Sequence, residues 1–271
     1  IFEGLKAFKT EDGKVSVFRP NQHAVRLNKS AARLCMPTIP ENLFLEGLYK
    51  LLEVDSQWIP NKKGCSLYIR PMMFATEEIL GVSPSTKCKF IIFTSPVASY
   101  YSGTVKVLVE NEYVRSAEGG VGFAKMGGNY AGSLLPTKKA LEKGYQQLLW
   151  TDAKEHKYIE ESGTMNVMFQ IGDTLITPST SSSILAGITR KSVIALAKKW
   201  EYKIEERKIS IDELAEAHAK GLLKDAFGTG TAATITQISH IGYQGKDLEL
   251  PSVEERDFSN KASDYLQKLK I

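Results

Sequence analysis

Cysteine is scarce in this chain, with only Cys35, Cys65 and Cys88 among 271 residues. No two of them fall in a CxxC or CxxH spacing. That argues against a disulfide framework or a structural zinc site and fits a reducing cytoplasm. No apolar run reaches eighteen residues, so no membrane-spanning helix is expected. Long basic runs are also missing. The 35 basic residues are nearly balanced by 31 acidic ones, for a net charge of +4, and the basic stripe of a nucleic-acid binder is absent. There is no internal repeat and no low-complexity tract. There is also no Gly-Lys-Ser/Thr phosphate loop and no GxGxxG after a strand. What remains is a chain with 42% hydrophobic and 24% charged residues. It is globular in composition and long enough for one large core or two modest ones. It begins at Ile1, inside the strand-like IFEGLKAF, with no signal or transit peptide in front. This is read as a truncated N-terminus.

The pattern along the chain predicts an α+β protein. Residues 3–19 read as a hairpin turning on EDGK (11–14). Pro20 opens a helix to about Leu34, and residues 40–54 carry leucines at helical spacing. Apolar strands follow at 65–74 and 89–97. The polar stretch 99–104 marks a boundary between a small domain (1–98) and a larger one (105–271). In the latter, 104–110, 146–152 and 164–171 read as strands, and 129–143 and about 190–200 as helices. Ser210 with Glu213 reads as a capping box for a helix through His218.

Some residues stand out against this background. Lys125 is the only charge in GGVGFAKMGGNYAGSLLP (119–136). A lysine among Phe, Ala, Met and Gly is a candidate for desolvation, which favours the nucleophilic amine. A snorkelling surface lysine is the plainer alternative. Glu160 and Glu161 precede an apolar strand taken to begin at Gly163. Alternation would then turn one acid inward, where it needs a cation, and the other outward. The segments around Ile188–Thr189 and GTGTAA (228–233) could each offer free backbone N–H groups to an anion, although a helix cap and a tight turn explain them equally well. Arg26 lies on an amphipathic helix. Arg70 interrupts an apolar strand and must meet an anion or solvent. Together these residues supply what pyridoxal phosphate demands.

FEGLKAF (2–8), FRP (18–20), RLNKSAARLCMP (26–37), SLYIRP (66–71), GGNYAGS (127–133), EESGTMN (160–166), LAGITR (185–190) and GTGTAA (228–233) occur in this order. In this the chain resembles the branched-chain amino acid aminotransferases of the fold-type IV, pyridoxal phosphate-dependent class. The resemblance implies two domains, a small α/β domain followed by a larger β-barrel-like domain with helices. It also implies roles for individual residues. Lys125 matches the Schiff-base lysine, Glu161 the acid at the ring nitrogen and Tyr130 the partner of the phenolic oxygen. Arg26, Ile188, Thr189, Gly230 and Thr231 match the cofactor's phosphate site. Tyr68, Thr231 and Ala232 match the holders of the α-carboxylate, and Arg70 the arginine for glutamate's second carboxylate. Phe2, Tyr100 and Thr164 match pocket-lining positions, and Leu80 and Val82 a loop contributed across a dimer interface. Some mammalian members carry a CxxC pair where this chain has Ala233 and Thr236, so thiol control of that kind is not expected.

The implied activity is transamination of leucine, isoleucine and valine with 2-oxoglutarate by a cytoplasmic homodimer or higher homo-oligomer. Its partners are small amino and 2-oxo acids, with no metal, membrane or nucleic acid involved. Two alternatives stay open. One is another fold-type IV enzyme, a D-amino acid aminotransferase or an aminodeoxychorismate lyase-like protein. The other is an inactive fragment that only binds.

Overall fold

The computed structural model describes residues 1–62, 64–98, 103–231 and 234–269. The sequence expectations for Tyr100 and Ala232 lie outside these residues, as does most of the 99–104 boundary. The chain divides into two units. One comprises Ile1–Tyr100, Ala124–Gly127 and Gln267–Ile271, and the other Tyr101–Phe123 and Gly128–Leu266. Among the described residues no helix is long and apolar enough to cross a membrane.

The first unit is built on an antiparallel sheet of four strands, β1 (Leu5–Lys9), β2 (Val15–Val17), β3 (Ser66–Ala75) and β4 (Cys88–Val97), in the order β2-β1-β3-β4. Gly13 (φ 79°) turns the β1–β2 hairpin, a conformation that Gly adopts without a Cβ penalty. Helices α1 (Pro20–Arg33) and α2 (Glu41–Val54) cover one face. Leu5, Ala7, Leu67 and Ile69 from the sheet pack there with Leu27, Phe44, Leu48 and Leu52 from the helices. Each such side chain stabilises the fold by about 1.5–3 kcal/mol relative to exposure. Because strand residues alternate in direction, burying Leu67 and Ile69 turns Tyr68 and Arg70 to the opposite face, where both are half-buried.

The second unit holds a mixed nine-stranded sheet. Its strands are β5 (Val105–Val109), β6 (Gln147–Thr151), β7 (Ile159–Ser162), β8 (Asn166–Ile171), β9 (Thr174–Thr177), β10 (Lys203–Glu206), β11 (Leu223–Gly230), β12 (Thr234–Tyr243) and β13 (Lys246–Glu249). They follow the order β10-β9-β8-β11-β12-β5-β6-β7, with β13 also on β12. Val107, Leu149, Val167, Phe169, Leu214 and Ile241 lie in its main core.

Three sequence expectations need correction. Residues 129–143 are not one helix but two, α3 (Gly127–Ala131) and α4 (Leu134–Glu142), separated at Gly132–Ser133. Gly lowers helix stability there, and Pro136, which lacks an N–H, fits only a first turn. The strand expected to begin at Gly163 starts only at Asn166, as β8. The acids sit on β7 itself, and Gly163 (φ 55°) makes the turn into β8. The Ser210 cap forms, with Glu213 N–H donating to Ser210 Oγ at 3.0 Å, ahead of α6 (Ile211–Ala219). The Glu213 carboxylate, however, pairs with Arg207 at 2.6 Å, because a cation competes better for it than the Ser210 amide does. Two helices complete this unit, α5 (Ile188–Lys199) and α7 (Asp257–Lys268).

Candidate active site

In the first unit, the outward face of β3 gathers an aromatic and cationic group. The Lys125 ammonium lies 4.8 Å from the centre of the Phe2 ring. The Arg70 guanidinium lies 4.5 Å from the Phe2 ring and 5.1 Å from that of Tyr68. Arg70 also donates to Tyr68 Oη at 2.8 Å, yet its buried Nε has no hydrogen-bond partner among the described residues. A buried donor left unmade costs about 1–3 kcal/mol, so Arg70 is poised for an acceptor. Backbone bonds fix the place of the lysine. Phe2 N–H donates to Lys125 C=O at 3.0 Å, and Lys125 N–H to Ser30 Oγ at 2.9 Å. Gly4 allows this packing, since a Cβ there would stand 2.2 Å from Tyr68 Oη.

Arg26, expected at a phosphate, is buried on α1 against Glu3. Its Nε donates to Glu3 Oε1 and an Nη to Oε2, both at 2.8 Å. His23 Nδ1 is 2.7 Å from the same carboxylate. Burial alone would raise the Glu3 pKa, but Arg26 and His23 outweigh it and hold the carboxyl well below its ordinary range. Burial lowers His23, against the pull of Glu3. Arg26 is thus aimed by a two-point ion pair that the sequence reading missed. The available signal was Glu3, a lone acid in an otherwise apolar strand start.

In the second unit, Glu161 on β7 is buried. Its Oε2 lies 3.0 Å from Arg115 Nε. Its Oε1 accepts from Leu185 N–H at 2.7 Å and from Asn166 Nδ2 at 3.4 Å. Arg115 then donates to the carbonyls of Ser183 (2.7 Å) and Gly122 (3.1 Å). The cation that a buried Glu161 required is therefore present. Arg115, Asn166 and Ser183 were not singled out from sequence, because nothing local marks a residue that meets its partner across a fold.

Glu160 corrects the expectation of an outward acid. It is only 9% exposed and accepts the Ser183 hydroxyl. Both faces of β7 are covered here, so alternation sends the two acids to different neighbours and neither to water.

Gly187 precedes α5 without a side-chain cap. The Ile188 and Thr189 amides belong to the first turn, where no carbonyl of the helix can accept them. A Cβ on Gly187 would stand 1.9 Å from Asn166 Oδ1. Gly230 ends β11 and Thr231 follows it in a turn. Tyr130 is half-buried on α3, and Thr164 is exposed in the β7–β8 turn. Leu80 and Val82 are fully exposed in the β3–β4 connection.

In the first unit a guanidinium short of an acceptor suits a carboxylate; in the second a clamped carboxylate suits a protonated nitrogen, and the helix amides suit an anion. Comparison with known proteins gives the same class: residues 1–241 match the family Amino-transferase class IV. The chain belongs to this family. As a class IV aminotransferase it is 49% identical over 269 residues to "Branched-chain-amino-acid aminotransferase 2" of Bacillus subtilis, spanning 98% of this chain and 74% of that protein. A crystal structure of the Escherichia coli branched-chain amino acid aminotransferase superposes with a TM-score of 0.81 at 28% identity, covering 98% of this chain and 84% of that one. The branched-chain amino acid aminotransferase from Thermobaculum terrenum, in its PLP form, shares the fold with a TM-score of 0.82 at 24% identity, covering 100% of this chain and 85% of that one. These likenesses make the fold that of the fold-type IV aminotransferases. The donor set of this class IV aminotransferase fits a pyridoxal phosphate: a lysine amine, a buried carboxylate held by its own guanidinium, and helix-terminal amides.

Proposed function

We propose that this aminotransferase moves the amino group of branched-chain L-amino acids to 2-oxoglutarate, using pyridoxal phosphate. The observation that carries the substrate assignment is Arg70, whose buried Nε, unpartnered among the described residues, lies beside Phe2 and Tyr68. An aliphatic side chain and a glutamate side chain must be accepted in turn. Aromatic walls suit the first, and a guanidinium short of an acceptor suits the second.

Each residue takes a part in its own unit. Lys125 supplies the amine that carries the cofactor and afterwards moves the α-proton as general base. Arg26, aimed by Glu3, serves phosphate. Phe2 and Tyr68 line the substrate site, with Tyr68 also directed to the α-carboxylate. In the other unit Glu161 holds a proton on the ring nitrogen, Tyr130 hydrogen-bonds the phenolic oxygen, and the Ile188, Thr189, Gly230 and Thr231 segment takes phosphate. Thr164 lines the substrate site. Bound pyridoxal phosphate supplies an electron sink for the carbon that loses its proton. A homodimer that covers the exposed Leu80 and Val82, working in the cytoplasm, completes the proposal.

The test is the visible spectrum of the cofactor-loaded protein with L-leucine and with D-alanine, followed by borohydride reduction and peptide mapping. L-leucine should bleach the visible band, and the cofactor adduct should map to Lys125. A response to D-alanine alone, or a main adduct on another lysine, overturns the assignment.

A further inference from the structure

Glu160 and Glu161 are adjacent carboxylates on one four-residue strand, and both are buried, at 9% and 2% exposure. Their surroundings are unequal. Arg115 gives its Nε to Glu161. Its other two nitrogens are given to the carbonyls of Ser183 and Gly122. Glu160 receives a hydroxyl from Ser183 and, among the described residues, nothing at Oε2. Ser183 is itself braced by Ser181, 2.9 Å away between hydroxyl oxygens.

The charges that face Glu160 can be taken element by element. The segment before Lys125 contributes Glu110, whose Oε1 accepts the amides of residues 112 and 113, then Glu112, Arg115 and Glu118, and Glu118 accepts from Ser182 Oγ at 2.7 Å. On the other side Ile209 C=O accepts from Ile159 N–H, and of its charged neighbours Arg207 is paired with Glu205 and Glu213, while Lys208 lies over the Tyr158 ring. β6 is uncharged and is followed by Asp152, which caps the amides of residues 154, 155, 157 and 158. β8 and the segment 179–187 carry no charge. Glu161 and Arg115 pair with one another, so Glu160 is left as a buried carboxylate with no ion-pair partner among the described residues. An acid kept in so poorly solvated a place is costly as structure, and such groups concentrate at functional sites.

We propose that Glu160 is a positioning residue that acts through Glu161, supplying a further buried negative charge that helps keep a proton on the aromatic nitrogen held there. The inference rests on the cofactor assignment above. Ser183 links the two acids physically, since its hydroxyl meets Glu160 while its carbonyl meets the guanidinium that clamps Glu161. Burial, reinforced by the charge of Glu161, pushes the Glu160 carboxyl up to about 6, although Ser183 and Arg115 pull it down. The charge is therefore present above that pH and lost below it.

The experiment uses holoenzyme reconstituted with ring-nitrogen-15-labelled pyridoxal phosphate. The ring-nitrogen chemical shift is followed by NMR between about pH 5 and 9, a range that brackets the Glu160 carboxyl and avoids lysine titration. In Glu160→Gln, which keeps the shape, the ratio of protonated to unprotonated ring at the alkaline end should fall by about three- to tenfold, the effect of one nearby charge partly screened by protein. Glu160→Asp should restore part of the ratio, and Ser183→Ala should lower it less than Glu160→Gln. A shift in Glu160→Gln identical to wild type across the range overturns the proposal, as does an equal loss in Glu160→Gln and Glu160→Asp. Glu161→Gln separates the two readings. If its ring nitrogen also matches wild type, the cofactor assignment has failed. If only Glu160→Gln matches, the assignment stands and the role of Glu160 has failed.

Discussion

Arg70 illustrates how a single side chain is assigned from unmet chemistry. It interrupts an apolar strand, stacks on two rings, and keeps Nε buried without an acceptor among the described residues. Arg70→Met keeps much of the apolar contact with Phe2 and Tyr68 but removes the guanidinium. Binding of glutamate and 2-oxoglutarate should weaken by about 1.5–3 kcal/mol, roughly ten- to a hundredfold, the usual worth of a hydrogen bond to a charged group. The leucine half-reaction should change little. Single-turnover kinetics of each half-reaction reads this directly. Equal losses for leucine and glutamate would mean that Arg70 serves the α-carboxylate or the fold. Arg70 was visible in the sequence as an anomaly, whereas Arg115 was not. Its meaning comes from Glu161, 46 positions away by residue number and 3.0 Å away in space.

At the scale of elements, the entry to α5 depends on a missing Cβ. Asn166 on β8 donates to Leu185 C=O at 2.8 Å, and its Oδ1 fills the space where a Gly187 side chain would begin. Gly187→Ala must displace Asn166 and with it the turn that presents the Ile188 and Thr189 amides. Forcing a methyl into packed structure costs about 1–3 kcal/mol. Cofactor retention, measured by equilibrium dialysis, should fall while the bulk of the secondary structure by circular dichroism stays. Unchanged retention would remove this helix terminus from the phosphate assignment. Helix α1 and hairpin β1–β2 were legible because each carries local punctuation, Pro20 and Asp12-Gly13. The break between α3 and α4 was harder to place, since helical spacing continues across Gly132–Ser133.

For the whole molecule, pH enters through buried acids of opposite habit. Glu3 sits below its ordinary value of 4.5 because, against burial, the Arg26 guanidinium and the His23 hydrogen bond win. A depressed acid adds stability that is fully present above its unfolded pKa and is lost as pH falls toward the folded one. Glu160 is raised, so it works the other way: its charge costs stability as pH rises from 4.5 to about 6. Glu3→Gln should therefore destabilise the protein most at neutral pH, by about 3–5 kcal/mol, the usual cost of breaking a buried pair. The gap to wild type should narrow below about pH 4, where the wild-type carboxyl also begins to lose its ionised advantage. Thermal melts across pH check this, and a gap independent of pH would assign Glu3 to packing alone.

What the sequence determined by itself is the set of parts. Alternation in SLYIRP placed Leu67 and Ile69 on one face and Tyr68 and Arg70 on the other. The uncharged surroundings of Lys125 marked it as unusual, and eight short motifs in order pointed to the family before any contact was known. These signals are local, carried by side-chain periodicity, by Pro and Gly, and by charge set against an apolar background. Tertiary structure alone decided which partners those parts meet. It set Glu3 under Arg26, Arg115 against Glu161 and Ser183 against Glu160, and it buried an acid that alternation had sent outward. Periodicity tells which face of a strand a side chain takes, but whether that face meets water depends on segments far away in the chain, here residues 181–185 folding over β7.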